Sequence, residues 1–343
     1  MDTKFIDELK GKIEGKNRTI VFPEGKDKRI VAAVAKLNEE GIIKPILLGS
    51  KEDIEKAAKE AGVDVSTVEQ IDPNTSELYD GLVQEFITVR KGKATEEQAK
   101  EMVRIPNYFG TMLVKTGRAD GMVSGAINST GDTVRPALQI IKTKPGSSRT
   151  SGVMIMLSPD GETRLAMADI AINITLEAEE IAEVAVETAK TAKLFNIDPK
   201  VAMLSFSTNG SASSPEQEKM ALATKLAKEI VEKNNLEIPI DGEIQFDAAV
   251  APEVGQLKFP GSKVAGYANT FIFPSLEAGN IGYKIGQRLG GYEAIGPILQ
   301  GLNAPINDLS RGCNVDDVYK VALVTAAQVE DQNKINLIKC VRR

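Results

Sequence analysis

The chain has 343 residues, room for two domains of about 100–200 residues each and for a core that needs no disulfide or metal staple. Hydrophobic residues make up 42% and charged residues 26%, and a net charge of -6 argues against a nucleic-acid binder, which shows a basic face. The sequence contains no histidine, so a histidine base, triad or metal ligand is excluded, and any general base is Asp, Glu, Lys, Tyr or the substrate itself.

In chain order, 19–22 reads as a short apolar strand ended by Pro23-Glu24-Gly25, and 26–37 follows with helical spacing of Ile30, Val34 and Leu37. Residues 45–48 read as the next strand and 51–61 as a charged amphipathic helix. This alternation predicts a parallel sheet with crossover helices. Two helices are predicted at 78–90 and 95–104, a strand at 120–124 running into a polar loop, and a helix at 136–142.

The rhythm changes after Lys144-Pro145-Gly146. The apolar runs 152–157 and 164–170, separated by Pro159-Asp160-Gly161, predict a hairpin. Further helices are expected at 176–195, 215–232, 281–289 and 315–329. Strands are expected at 201–206, 243–250, 298–302 and, around a loop, 264–273. The domain division is placed at 1–145 plus 291–343 for the first domain and 146–290 for an inserted second one.

Four clusters carry candidate chemistry. In Ser124–Pro136, small residues, three hydroxyls (Ser129, Thr130, Thr133) and Arg135 offer backbone amides and side-chain donors to an anion. The same residues also fit a capped loop, with Asp132 or Thr133 as the helix cap. Residues 144–152 suit a hinge at Pro145-Gly146 and an anion-facing turn at Arg149-Thr150-Ser151. In residues 207–216, Ser214 and Pro215 fit a helix start, while the small residues before them leave a ligand open. In residues 303–317, Ser310 beside Arg311 fits an oxyanion. Asp316 and Asp317 fit either a proton acceptor or the acidic first turn of a helix.

The two cysteines, Cys313 and Cys340, match no zinc or disulfide pattern. Cys313 is read as buried and inert, since no histidine is present to activate it. No segment approaches the roughly 18 apolar residues of a membrane helix, and residues 1–10 lack an apolar signal core, so a cytoplasmic protein with no membrane or nucleic-acid partner is expected. There is no G-x-x-x-x-G-K-[ST] loop and no G-x-G-x-x-G after a strand, which gives a nucleotide-phosphate or nicotinamide site no support.

Taken together, these blocks resemble the phosphate acetyltransferases. The resemblance runs from Ile20-Val21-Phe22-Pro23-Glu24-Gly25 to Ala326-Ala327-Gln328, and its most specific blocks are residues 132–141, residues 273–284, and Gly301-Leu302-Asn303 through Ser310-Arg311-Gly312-Cys313. Phosphate butyryltransferases and the C-terminal part of some malic enzymes are more distant relatives.

The resemblance implies two α/β domains with a cleft between them, like isocitrate and isopropylmalate dehydrogenases. It also implies a homodimer that takes acetyl phosphate, phosphate and coenzyme A as substrates, with no metal and no tightly bound cofactor. It places Ser310 and Arg311 at the reacting acyl phosphate and Asp317 as base for the coenzyme A thiol. Arg90, Arg135, Ser129, Thr130, Thr133, Asn280, Tyr283 and Lys284 become substrate-binding residues. The chain departs from many relatives in having Asn128 where they carry histidine and Asn209 where they carry lysine.

Acetyl phosphate is a mixed anhydride with a good leaving group, so a thiolate attacks its carbonyl directly. Coenzyme A supplies that thiol, which is why a chain without histidine or an activated cysteine still fits. The expected chemistry is direct transfer in a ternary complex. The alternatives are a phosphate butyryltransferase-like enzyme, a nicotinamide-dependent dehydrogenase on fold analogy alone, and a non-catalytic coenzyme A-binding protein.

Overall fold

The computed structural model describes residues 3–329. Thr3–Ile13 forms helix α1, whose Phe5, Ile6, Leu9 and Ile13 are buried along one face. This helix is hidden in a segment that reads as merely polar. Strand β1 (Thr19–Phe22) leads to helix α2 (Lys28–Glu40), opened by the Asp27 side chain accepting the Arg29 N–H and closed by left-handed Gly41. Next come β2 (Lys44–Leu48), α3 (Lys51–Ala61), β3 (Glu69–Ile71), α4 (Tyr79–Arg90) and α5 (Glu96–Val103). Then follow α6 (Pro106–Lys115), β4 (Gly121–Ser124) and α7 (Thr130–Pro136).

The helix expected at 136–142 begins instead at Thr130, with Ser129 as its cap rather than Asp132 or Thr133. Pro136 has no N–H to continue the regular ladder. The chain widens after it into a π turn at Ala137–Ile141, closed by the Lys142 N–H donating to the Ala137 carbonyl.

Strands β5 (Ser151–Leu157) and β6 (Arg164–Ala168) form the expected antiparallel hairpin. They are followed by α8 (Ala178–Leu194), β7 (Val201–Leu204), α9 (Pro215–Lys233) and β8 (Ile240–Ile244). The strand predicted at 243–250 stops at Ile244, and Phe246–Val250 is a short helix, α10. Helix α11 (Pro252–Lys258) and strand β9 (Thr270–Ile272) come next, so 264–273 is extended only near its end. Helix α12 (Leu276–Arg288) starts earlier than its spacing implies, at the cap Ser275. Strand β10 (Glu293–Gln300) pairs antiparallel with β5. Strand β11 (Ile306–Asp308) and helix α13 (Val315–Gln328) complete the described chain.

The chain packs into two compact units, residues 3–142 with 302–329, and residues 143–301. In the first, among the described residues, five strands form a sheet in the order β11-β4-β1-β2-β3, with every pairing parallel. One of its cores gathers Val21, Phe86, Phe109, Met112, Leu113, Ile140 and Ile306. Each large apolar side chain taken from water there stabilises by about 1.5–3 kcal/mol. In the second unit the sheet order is β10-β5-β6-β9-β7-β8, antiparallel at the β10–β5–β6 edge and parallel beyond it. Its core includes Met154, Met156, Ile170, Leu204, Ile244 and Phe271. Among the described residues no helix is long and apolar enough to cross a membrane.

Candidate active site

Adjacent parallel strands β11, β4 and β1 of the first unit end side by side, and every segment that leaves their carboxyl ends carries candidate chemistry. In open α/β sheets that end is where ligands bind.

The chain after β1 supplies Glu24, which is 3% exposed. One of its carboxylate oxygens accepts the N–H groups of Gly125 (2.9 Å) and Ala126 (2.8 Å), and the other those of Ile127 (2.9 Å) and Asn128 (2.8 Å). Four successive amides form an anion nest, and a carboxylate of the chain itself fills it. The amides of 125–128 are therefore not the ligand donors that the small residues there suggest. Gly125 is required for another reason. It sits at φ +116°, and a Cβ on it would lie 2.4 Å from Asp308 Oδ1.

Arg29, at the start of α2, ties the same loop to the segment after β11. Its Nε and Nη2 donate to the Asp27 carboxylate at 3.0 and 2.7 Å. Nη2 also reaches the Ala126 carbonyl at 2.8 Å, and Nη1 the carbonyls of Arg311 (2.8 Å) and Cys313 (2.9 Å). All the donors of the guanidinium fork are satisfied. The Asp27 bond raises Arg29 above its ordinary pKa. Burial works to raise Asp27, but the bonds from Arg29 outweigh it and hold that carboxyl below its usual value.

In the loop before α7, Ser129 donates to Asp132 Oδ2 at 2.7 Å, and its oxygen accepts the Asp132 N–H at 3.3 Å, a reciprocal cap. That hydrogen bond holds the Asp132 carboxyl below its ordinary pKa. Thr130 Oγ1 donates to Asp308 Oδ2 at 2.7 Å. Thr133 is fully buried, and its hydroxyl has no hydrogen-bond partner among the described residues. Asn128 donates its side-chain amide N–H to Asn107 Oδ1 at 3.4 Å. Arg135 is exposed and forms no hydrogen bond or ion pair among the described residues.

Arg90 Nη1 reaches the Gln139 carbonyl at 3.5 Å, and its buried Nε has no hydrogen-bond partner among the described residues. Tyr108 donates to Gln139 Oε1 at 2.9 Å. Burial raises the Tyr108 pKa, and the charges of Arg135 and Arg90 pull against it, so the phenol and both guanidinium groups share one neighbourhood.

After β11, Ser310 and Arg311 are exposed, and Ser310 Oγ accepts the Gly312 N–H at 3.2 Å. Cys313 is buried, and burial pushes its thiol up to about 11, with Arg29 opposing. Burial thus favours the neutral thiol over the nucleophilic thiolate. Cys340 lies outside the described residues. Asp317 Oδ2 accepts the Asn314 N–H at 2.9 Å while Asn314 Oδ1 accepts the Asp317 N–H at 3.0 Å. Asp317 is thus part of a capping box at the start of α13, and Asp316 pairs with Lys320.

Asn280, Tyr283 and Lys284 lie on α12 of the second unit and cluster there. Lys284 donates to Asn280 Oδ1 at 2.7 Å and sits 5.7 Å from the Tyr283 ring centre. Burial raises the Tyr283 phenol, against the charge of Arg288. The run 207–214 in that unit repeats the device seen at Glu24. The Glu243 carboxylate accepts the Ser207 hydroxyl and the Gly210 N–H, each at 2.8 Å, and Ser214 caps α9 as predicted.

A sequence profile described as phosphate acetyl/butaryl transferase matches residues 4–326. The chain belongs to that family. It is 57% identical over 320 residues to a phosphate acetyltransferase of Staphylococcus aureus, covering 93% of this chain and 97% of that one. The solved structure of the EutD phosphotransacetylase from Staphylococcus aureus matches with a TM-score of 0.90 at 55% identity, covering 96% of this chain and 99% of that one. A phosphotransacetylase from Streptococcus pyogenes matches with a TM-score of 0.90 at 56% identity, over 95% and 98%.

Glu24, Arg29 and Asp308 escape a reading of the sequence. Each is an ordinary charged residue whose partners lie 101, 282 and 178 positions away. The available signal was an acid directly after a strand at Glu24 and another directly before Leu309-Ser310-Arg311.

Proposed function

We infer that this chain is a phosphate acetyltransferase, interconverting acetyl-CoA plus phosphate with acetyl phosphate plus CoA by direct transfer in a ternary complex. The observation that supports the direct route is Cys313: its thiol is buried and burial pushes it up to about 11, so it is poorly suited to carry the acetyl group. Exposed Arg135 and Arg311, which form no ion pair among the described residues, are cations available to an anionic substrate.

In the forward step Asp317 takes the proton of the CoA thiol, and the sulfur attacks the acetyl carbonyl. The tetrahedral intermediate collapses with breakage of the acyl C–O bond, and phosphate leaves with the bonding pair. Arg311 neutralises the phosphoryl group and the developing charge, and Ser310 donates a hydrogen bond beside it. Arg90, Ser129, Thr130, Thr133, Arg135, Asn280, Tyr283 and Lys284 are the substrate-binding residues of this reading. Holding two substrates in register supplies much of the remaining rate. A homodimer and a cytoplasmic location accompany this reading.

Arg311→Ala and Asp317→Asn, assayed for acetyl phosphate formation from acetyl-CoA, test it. Each is expected to lose roughly 100–1,000-fold in kcat. Near-normal turnover in both rejects the assignment. Comparing acetyl phosphate with butyryl phosphate tests the acyl preference.

A further inference from the structure

Asp308 ends β11 two residues before Ser310, is 1% exposed, and has an oxygen, Oδ1, with no hydrogen-bond partner among the described residues. That oxygen is packed against Gly125, whose missing Cβ is what lets it fit. The other oxygen takes the Thr130 hydroxyl proton at 2.7 Å. Thr133, the second hydroxyl beside this carboxyl, is fully buried and also short of a partner.

A threonine hydroxyl has one proton and two lone pairs, and an ionised carboxylate only accepts. While Asp308 is charged, Thr130 therefore spends its proton inward and shows only lone pairs to the outside, where an anionic oxygen would be repelled. Once Asp308 is protonated, its own O–H can donate to Thr130 Oγ1. The Thr130 proton is then free for a phosphoryl oxygen.

We propose that Asp308 is a positioning residue that sets, through Thr130, whether the Ser129–Thr133 loop donates to or repels a phosphoryl oxygen, so that anion binding is coupled to uptake of one proton. This rests on the proposed reading that the loop faces the acyl phosphate. The proton comes from solvent and resides on Asp308, and no bond other than O–H is made or broken. Burial pushes the Asp308 carboxyl up to about 6, against the hydrogen bond from Thr130 and with the help of the Glu24 carboxylate. The protonated form is thereby brought toward working pH.

The charged and titratable groups on the neighbouring segments are few. The segment after β1 brings Glu24 together with Asp27 and Arg29, which pair with each other, and β4 brings none. Helix α7 brings Asp132, engaged by Ser129, and Arg135. Helix α13 brings Asp316, paired with Lys320, together with Asp317 and Tyr319, the last of which donates to Glu40.

The test uses the full chain, with sulfate as the probe because it stays a dianion across the range. Its inhibition constant against acetyl phosphate is measured from pH 5 to pH 8 in the wild type, Asp308→Asn, Thr130→Val and Thr130→Ser. One hydrogen bond to a charged group corresponds to about tenfold or more in affinity. The wild-type constant is expected to rise by about tenfold between those limits and then level off. In Asp308→Asn the amide donates to Thr130 as the protonated carboxyl did, so the constant stays flat at the tight, low-pH value and the KM for CoA is unchanged. Thr130→Val is flat at the weak value, and Thr130→Ser restores the wild-type profile.

Retention of the wild-type profile in either Asp308→Asn or Thr130→Val overturns the inference, and Thr130→Val decides the matter if Asp308→Asn does not fold. A wild type that fails to turn over acetyl phosphate with CoA removes the functional reading and this inference together. A wild type that turns over with a pH-independent sulfate constant removes the inference alone.

Discussion

Four backbone amides converge on the Glu24 carboxylate, and this single side chain gives the loop after β4 its shape. Replacing it by Gln keeps the size but removes the charge, and turns an N–H₂ toward N–H groups that then lack an acceptor. Each unmet buried donor costs about 1–3 kcal/mol. Glu24→Gln is expected to lower stability by at least that much in urea unfolding and to lower turnover with it.

Asp308 works in the opposite sense. Its folded pKa is about 6 against 3.8 for the ordinary group, so its charged form is disfavoured by folding. Its contribution is fully present below about pH 4, declines as pH rises toward 6, and is lost above that. Asp308→Asn is therefore expected to be more stable than wild type at pH 7.5, by up to about 3 kcal/mol, and nearly equal to it at pH 4. Thermal melts at the two pH values check this, and a variant less stable at pH 7.5 contradicts it. Ser310, Arg311 and Asp317 could be singled out as candidates because they lie in one contiguous block. Glu24, Arg29 and Asp308 were not, because each acts on a segment brought near only by the sheet.

At the scale of elements, the start of α13 holds two functions in one carboxylate. Asp317 caps the helix through the Asn314 N–H and is also the proposed base. Asn at 317 retains an oxygen that can accept that N–H but cannot take a proton from a thiol. Asp317→Asn is thus expected to unfold within about 0.5 kcal/mol of wild type, a small fraction of a lost cap, while losing about 100-fold or more in kcat. Loss of stability in proportion to activity would make the residue a cap alone.

The elements that the periodicity missed have physical reasons. Helix α6 is buried along nearly its whole length, from Asn107 to Val114, so it shows no amphipathic stripe. Strand β11 is three residues long and two of them are polar. Asn307 is satisfied inside the unit by Thr325 (2.8 Å) and Gln328 (2.6 Å), which no local pattern reveals. The apolar run 246–250 reads as strand because five residues are too few to show a helical period.

For the whole molecule, the alternation of strand and helix was enough to announce two α/β sheets, but the units divide at 142/143 and 301/302 rather than at 145/146 and 290/291, because β10 pairs with β5 and so stays with the second unit. The segment 143–301 is continuous and carries its own sheet and core. Near its two ends Lys144 donates its N–H to the Gly301 carbonyl at 2.9 Å. Such a segment meets the requirements of an independent domain. Expressed alone, it is expected to unfold in one cooperative transition followed by circular dichroism. Residues 3–142 alone lack β11 and α13 and are not expected to do so.

Acyl transfer without a covalent stop is the claim on which the functional account turns, and initial-rate kinetics with CoA and acetyl phosphate varied together test it most directly. Double-reciprocal lines that intersect, with no acetyl group retained on protein quenched during turnover, are the predicted result. Parallel lines with an acetyl group trapped on Cys313 would contradict it.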